Sequence, residues 1–248
     1  MPLIKAVIFD FIGTLTDVKN YDLEASKTKL YEALREVGFN VSFENFLHAY
    51  SEAHEKYRVV RYERLVEVTN AVWISEALND LGFKTTPEDL NIMKAVAVFF
   101  EDYLDSLSLR SCSLQLLQTA NAEYKLGLIS NFTYAPVIHE TLRKLEISQF
   151  FNAVLISQEV GFRKPNAKIF EEAIRRLSIN PKETVYVGDS PIEDIKGAKA
   201  LSMKTIFTPS QFYSLEDLRV SRETPDLVVE DICGLNKNFK SILRELTQ

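Results

Sequence analysis

The chain has 248 residues, 46% hydrophobic and 26% charged, which is an ordinary globular composition with enough length to bury a sizeable core. Its formal net charge of -6 argues against a general nucleic-acid binder, whose domains are usually basic. No stretch approaches 18 consecutive apolar residues, so neither a transmembrane helix nor a membrane partner is expected.

The N-terminal "MPLIKAVIFDF" is too short an apolar run for a signal peptide. Ile4 to Phe9 is rich in β-branched residues and predicts a buried strand. That strand ends in an exposed carboxylate, Asp10, before a turn at Gly13-Thr14. From about residue 18 to 108 the period becomes helical. Leu23, Leu30, Leu34 and Val37 share a face and stop at Gly38. Phe43, Phe46, Leu47, Tyr50, His54 and Tyr57 repeat the pattern. Leu65, Val68, Val72, Ala77, Leu78 and Leu81 repeat it again and stop at Gly82. A fourth helix is expected from Thr86 as N-cap with Pro87 at the first helical position.

Beyond this stretch strands and helices alternate. Strands are expected at 124–130, 151–157, 183–189, in "MKTIFTP" and in "PDLVVED". Helices are expected in "APVIHETLRKLEI", "NAKIFEEAIRRLSI", "PIEDIKGAKAL" and "LNKNFKSILREL". Such alternation predicts an α/β protein with a parallel sheet. The simplest organisation is a Rossmann-like core from residues 1–17 and 109–248, with a helical cap domain, 18–108, inserted after the first strand. Cys112 and Cys233 are far apart and in no CxxC spacing. A disulfide framework or structural zinc is therefore not expected, and a reducing cytoplasm is the natural setting.

In an open parallel sheet, ligands bind beyond the carboxyl ends of the strands. Those ends carry Asp10 and Thr14, then Ser130 and Asn131, then Lys164, then Asp189, Ser190, Glu193 and Asp194. Asp10 and Asp189, brought together, repel unless a cation lies between them, and a hard all-oxygen site suits Mg²⁺. Ser130 and Lys164 then hold the oxygens of a phosphoryl group, and a carboxylate can attack its phosphorus. Taken singly, each residue reads equally as a turn residue, a helix cap or a solvated lysine.

Together, "VIFDFIGTLTD", "LGLISN", "GFRKPNAKIF" and "VYVGDSPIEDIKGAKAL" resemble the four motifs of the haloacid dehalogenase-like (HAD) hydrolase superfamily. The likeness is to the branch with a helical cap after the first strand and no second cap, since only 34 positions separate Ser130 from Lys164. The resemblance implies a Mg²⁺-dependent phosphatase acting on a small phosphorylated metabolite. It makes Asp10 the nucleophile and Thr14 a support for the loop around it. Ser130, Asn131 and Lys164 contact the transferring group. Asp10, Asp189 and the backbone carbonyl of Ile12 hold the metal, with Asp194 as a ligand or a holder of its waters.

At position 12 the family's phosphatases carry Asp, which protonates the leaving oxygen and then activates water. Here it is Ile12. The carbonyl survives this change and the proton shuttle does not, a loss typically of 10²–10⁴-fold. Asp17, Tyr21 and Glu24 are the nearby groups that could substitute. Two alternatives follow from Ile12. One is a 2-haloacid dehalogenase, whose relatives also lack that Asp and need no metal, although the retained Asp189 and Asp194 argue against it. The other is a non-catalytic binding protein that keeps the fold.

Arg58, Arg61 and Arg64 stand three apart near one helix face, as an anion-binding lining or a solvated face. His54 is expected as a partly buried packing residue, and Trp73 as core. The apolar helical insert also offers a surface for a homodimer.

Overall fold

A computed structural model describes residues 3–247. In chain order the elements are β1 (Ala6–Phe9), β2 (Thr16–Val18), α1 (Leu23–Glu36), α2 (Phe43–Glu63), α3 (Asn70–Asp80), α4 (Leu90–Ser106), β3 (Leu107–Leu109) and α5 (Ser113–Asn121). Then come β4 (Lys125–Ser130), α6 (Ala135–Lys144), β5 (Ala153–Ile156), α7 (Ser157–Val160), α8 (Ala167–Leu177) and β6 (Thr184–Gly188). Last are α9 (Gly197–Ala200), entered through a π-helical turn over Pro191–Lys196, β7 (Lys204–Phe207), α10 (Leu215–Ser221), β8 (Leu227–Val228) and α11 (Ile232–Glu245).

Six strands form one parallel sheet in the order β5-β4-β1-β6-β7-β8. Alternate residues of a strand face opposite sides, and β1 shows what this does here. Val7 and Phe9 enter an apolar cluster with Leu116, Ile138 and Phe239, from α5, α6 and α11. Ala6 and Ile8 enter another with Ile169, Phe170 and Ala198, from α8 and α9. Both faces are covered, so β1 is apolar at every position and wholly buried. The fold is the Rossmann-like α/β architecture expected.

Helices α1–α4 gather a further cluster around Leu30, Phe46, Trp73, Ile74, Leu78 and Ile92, joined by Val137 of α6. The chain enters and leaves them through a two-stranded antiparallel ribbon, with Thr16 opposite Leu109 and Val18 opposite Leu107. Three-residue strands are too short to show a period, which is why this ribbon is silent in the sequence. Among the described residues no helix is long and apolar enough to cross a membrane.

Several local expectations are corrected. The third helix starts at Asn70, because Leu65–Glu67 are taken up in pairing with the sheet unit. The Glu67 N–H donates to the Gly161 carbonyl (3.0 Å), and the Arg163 N–H to the Leu65 carbonyl (3.1 Å). Thr86 does not cap α4. Residues 86–89 form a turn, and Asp89 caps the helix by accepting from the Asn91 N–H at 2.8 Å. The cysteines are not free: Cys112 and Cys233 form a disulfide across 121 positions. Packing of α5 against α11 brings them together, a relationship that sequence spacing does not reveal.

Candidate active site

Asp10 follows β1 directly and is pinned by its own N–H, which donates to the Val187 carbonyl at 2.9 Å. It was expected exposed; it is 6% exposed, at the floor of a cavity of about 960 Å³ that lies between the strand ends and the helical insert. The turn after it is tight. Leu15 and Thr16 N–H groups both donate to the Phe11 carbonyl, and the Gly13 N–H to the Thr16 carbonyl. Gly13 has φ +98°, and a Cβ there would stand 2.3 Å from Asp189 Oδ2, so only glycine fits. Arg110 braces the turn from outside, donating to the carbonyls of Gly13 (2.5 Å) and Pro209 (2.9 Å).

Lys164 is 1% exposed and stands at the centre. Its Nζ lies 2.6 Å from Asp10 Oδ1, 2.7 Å from Asp194 Oδ1, and 3.2 Å from both the Ile129 carbonyl and the Tyr186 hydroxyl. Burial pulls its pKa down, but Asp10 and Asp194 outweigh this and hold it well above the ordinary lysine value. Its backbone is fixed by Asn131, whose Oδ1 accepts from the Lys164 N–H (2.7 Å) and whose Nδ2 donates to the Lys164 carbonyl (3.0 Å) and to Glu193 (2.9 Å). The Asn131 amide thus holds the lysine loop.

Asp189 and Asp194 follow β6. Asp194 Oδ2 accepts from the Ser190 N–H at 2.9 Å, and Asp194 packs against Gly188, where a Cβ would be 2.5 Å from its carboxylate. Asp189 Oδ2 accepts from the Ser210 hydroxyl. Burial, then the charges of Asp10 and Asp194, push the Asp189 pKa well above the ordinary range. Asp10 is likewise raised by burial, from 3.8 to about 6, against the pull of Lys164.

One oxygen from each of Asp10, Asp189 and Asp194 lies within 4.8 Å of the others. Three buried carboxylates share one buried ammonium, a deficit of two positive charges. Asp10 Oδ2 and Thr14 Oγ1 are buried without a hydrogen-bond partner among the described residues. A divalent cation would supply that charge, and an oxygen donor set of this kind suits Mg²⁺. Ser130, at the end of β4 and 2% exposed, lines the same cavity, as does the half-buried Ile12.

The strand-end residues expected from sequence therefore converge. Of the groups that could replace the acid at position 12, Tyr21 lines the cavity, Asp17 pairs with Arg110 (3.6 Å), and Glu24 bonds Lys27 (2.7 Å). Of the three spaced arginines only Arg61 reaches the cavity; Arg58 pairs with Glu55 on an exposed face. Arg110 and Ser210 carry no sequence signal, since each serves another residue across a long separation. Arg163 could have been suspected beside Lys164: it is 3% exposed and pairs with Glu193 at 2.9 Å.

Residues 4–202 match the family model described as haloacid dehalogenase-like hydrolase. The chain is 30% identical over 239 residues to a glyceraldehyde 3-phosphate phosphatase of Methanothermobacter thermautotrophicus, covering 95% of this chain and 99% of that one. Its fold is similar to a 2-haloacid dehalogenase of Pseudomonas syringae (TM-score 0.67, 22% identity, 98% and 99% covered). It is also similar to a HAD phosphatase of Thermococcus onnurineus (TM-score 0.61, 21% identity, 97% and 98% covered).

Proposed function

The chain belongs to the haloacid dehalogenase-like hydrolases, and we propose that it is a Mg²⁺-dependent phosphatase of a small phosphorylated metabolite. The observation that carries this reading is the charge balance: Asp10, Asp189 and Asp194 buried around the single ammonium of Lys164, with Asp10 Oδ2 unpartnered. A dehalogenase has no use for the extra carboxylates, which would repel both each other and an anionic substrate. The name of the relative from Methanothermobacter supports the phosphatase side and makes glyceraldehyde 3-phosphate the first substrate to try.

In this reading residues 18–108 are a cap domain over a core formed by 1–17 and 109–248. Asp10, Asp189 and the Ile12 carbonyl would hold Mg²⁺, with Asp194 supporting the site, and when bound it would supply positive charge to phosphoryl oxygens. Asp10 Oδ2 attacks phosphorus, and the bond to the leaving oxygen breaks, giving an aspartyl-phosphate. Lys164, already on Asp10 Oδ1, keeps the carboxylate ionised and neutralises charge on the transferring group. The Ser130 hydroxyl orients that group, and Thr14 supports the turn. Water then attacks the intermediate and releases inorganic phosphate. No acid stands at position 12, so the leaving oxygen takes its proton from solvent, and esters with good leaving groups are favoured.

The test is hydrolysis of a panel of phosphate esters and acyl phosphates with and without Mg²⁺. Turnover should require the ion and vanish in Asp10→Asn. Halide released from a chloroacid in chelator points instead to the dehalogenase. Silence across the panel in both wild type and Ile12→Asp points to a non-catalytic protein.

A further inference from the structure

The cavity that Asp10 floors is walled by rings as well as by the polar groups of the site. Tyr21, just before α1, and Tyr103 of α4 meet edge-on with centroids 4.8 Å apart. Tyr103 in turn lies 5.3 Å from the ring of Phe132, which follows Ser130 and Asn131 at the end of β4. All three line the cavity and are half-buried. The Tyr103 pKa is raised by burial, then by Tyr21 and by the Asp10 charge, which places this ring within the field of the carboxylate. At the Gly13 turn stands Phe212, also in the lining and 47% exposed; a Cβ on Gly13 would lie 3.0 Å from its Cδ2. The Phe212 N–H donates at 2.9 Å to the same Ser210 hydroxyl that holds Asp189. Ring surface from both the insert and the sheet unit is therefore presented to a ligand.

Size and leaving-group chemistry point the same way. At about 960 Å³ the cavity is at the upper end of the about 300–1,000 Å³ of sites that enclose drug-sized ligands, and a three-carbon ester leaves most of it unfilled. A phenol has a pKa of about 10, whereas an aliphatic alcohol is nearly as weak an acid as water, about 15.7. A phenolate leaves phosphorus without a proton. An alkoxide is helped by one, and the Ile12 side chain has none to give.

We propose that the substrate is a small aryl phosphate monoester, its ring held among Tyr21, Tyr103, Phe132 and Phe212 and its phosphate on Asp10. For the reaction this rests on the phosphatase reading; for binding it rests on the aromatic wall. Ring faces carry partial negative charge and ring edges positive, so a planar aromatic guest packs edge-to-face or offset against them. A saturated ring of the same size forgoes that gain. In the first step the bond from Asp10 Oδ2 to phosphorus forms and the bond from phosphorus to the ring oxygen breaks. The electron pair leaves on the phenolate, which takes a proton from solvent. Water then attacks phosphorus, Asp10 departs as the carboxylate, and phosphate is released. The second step is the same for every ester, so the leaving group exerts its selection in the first.

The experiment is calorimetric titration of Asp10→Asn protein, which lacks the nucleophile, in Mg²⁺ with phenyl phosphate, cyclohexyl phosphate, glycerol 3-phosphate and inorganic phosphate. Phenyl phosphate should bind about threefold to tenfold tighter than cyclohexyl phosphate, and glycerol 3-phosphate more weakly than both. Two variants on the Asp10→Asn background follow: Phe212→Leu, at an exposed position where folding is not at stake, and Tyr103→Leu. In each the phenyl-to-cyclohexyl ratio should fall toward one while affinity for inorganic phosphate stays unchanged. Equal affinities for the phenyl and cyclohexyl esters overturn the proposal, as does tightest binding of glycerol 3-phosphate. So do variants that weaken inorganic phosphate as much as the phenyl ester, since that is the mark of a merely structural role. Wild-type kinetics on the same esters separate the two readings. No turnover of any ester, with the ring preference intact, sinks the phosphatase reading and leaves the aromatic subsite standing; turnover without the preference sinks the subsite alone.

Discussion

The Ser157 hydroxyl donates a hydrogen bond to the carboxylate of Glu67, joining the sheet unit to the helical insert across 90 positions of chain. The Glu67 side chain is buried, accepts also from Arg61, and lies 3.8 Å from Arg163 Nη1. The backbone pairing of Leu65 and Glu67 with Arg163 and Gly161 runs alongside. The insert is therefore fastened at a point other than the β2–β3 ribbon through which it is attached, and the fastening grips the loop that carries Lys164.

Loss of Glu67 leaves Arg61 and Arg163 short of a buried counter-charge, a change that typically costs about 3–5 kcal/mol. Glu67→Ala should release the strap. Amide exchange at 65–67 and 161–163 should accelerate, and solution scattering without ligand should show a more open particle, closing with Mg²⁺ and a phosphate mimic. If wild type and variant show one identical insert orientation in both conditions, the strap does not restrain the insert.

Ile12 lines the cavity and packs against both the sheet-side and the insert-side apolar clusters. Ile12→Asp should raise kcat on esters with poor leaving groups by about 10²-fold, near the lower end of the general acid–base contribution. It should change turnover of acyl phosphates little, because their leaving group needs no proton. A plot of rate against leaving-group pKa, steep in wild type and shallow in the variant, is the expected signature. Parallel slopes would show that another group already supplies the proton.

Burial raises the Asp10 pKa from 3.8 to about 6, and Asp189 moves in the same direction. Between those values the folded state binds more protons than the unfolded one, so these groups stabilise the protein fully below pH 4. The Asp10 contribution is lost as pH rises through about 6, and that of Asp189 as pH rises through its own raised pKa. Mg²⁺ favours the ionised carboxylates, so the increase in Tm that it produces should grow from pH 4.5 to 7. Calorimetric scans with and without Mg²⁺ isolate this effect from the other titrating groups. An increase independent of pH would separate the ion from Asp10 and Asp189.

The disulfide closes a loop of 121 positions. On the chain-entropy view such a crosslink contributes about 4–5 kcal/mol. Replacing both cysteines by serine should lower the unfolding free energy by an amount of that order, read from urea denaturation. Two free thiols titrating in the native protein would show the bridge to be absent under those conditions.

The sheet was legible because its central strands are buried on both faces and so read as unbroken apolar runs; Ala6–Phe9 is the clearest case. Asp10, Ser130, Lys164, Asp189 and Asp194 were legible because parallel strands deliver their carboxyl ends to one edge. What the sequence hid is held by long-range pairing. Leu65–Glu67 has helical spacing, yet its backbone is claimed by Gly161–Arg163. Arg110 and Ser210 act on Gly13 and Asp189 from segments with no local pattern. The contact between Cys112 and Cys233 depends on how α5 lies against α11, which neither helix specifies alone.

The central position of β1 also bears on synthesis. Its two neighbours in the sheet begin at Lys125 and Thr184, so the first strand made has no native partner until half the chain has followed it. Helices α1–α4, whose contacts are mostly among themselves, can condense on the ribosome in the meantime. The carboxylate on which the chemistry is proposed to turn thus stays outside any finished site until about residue 194, where Asp194 and its neighbours arrive to enclose it.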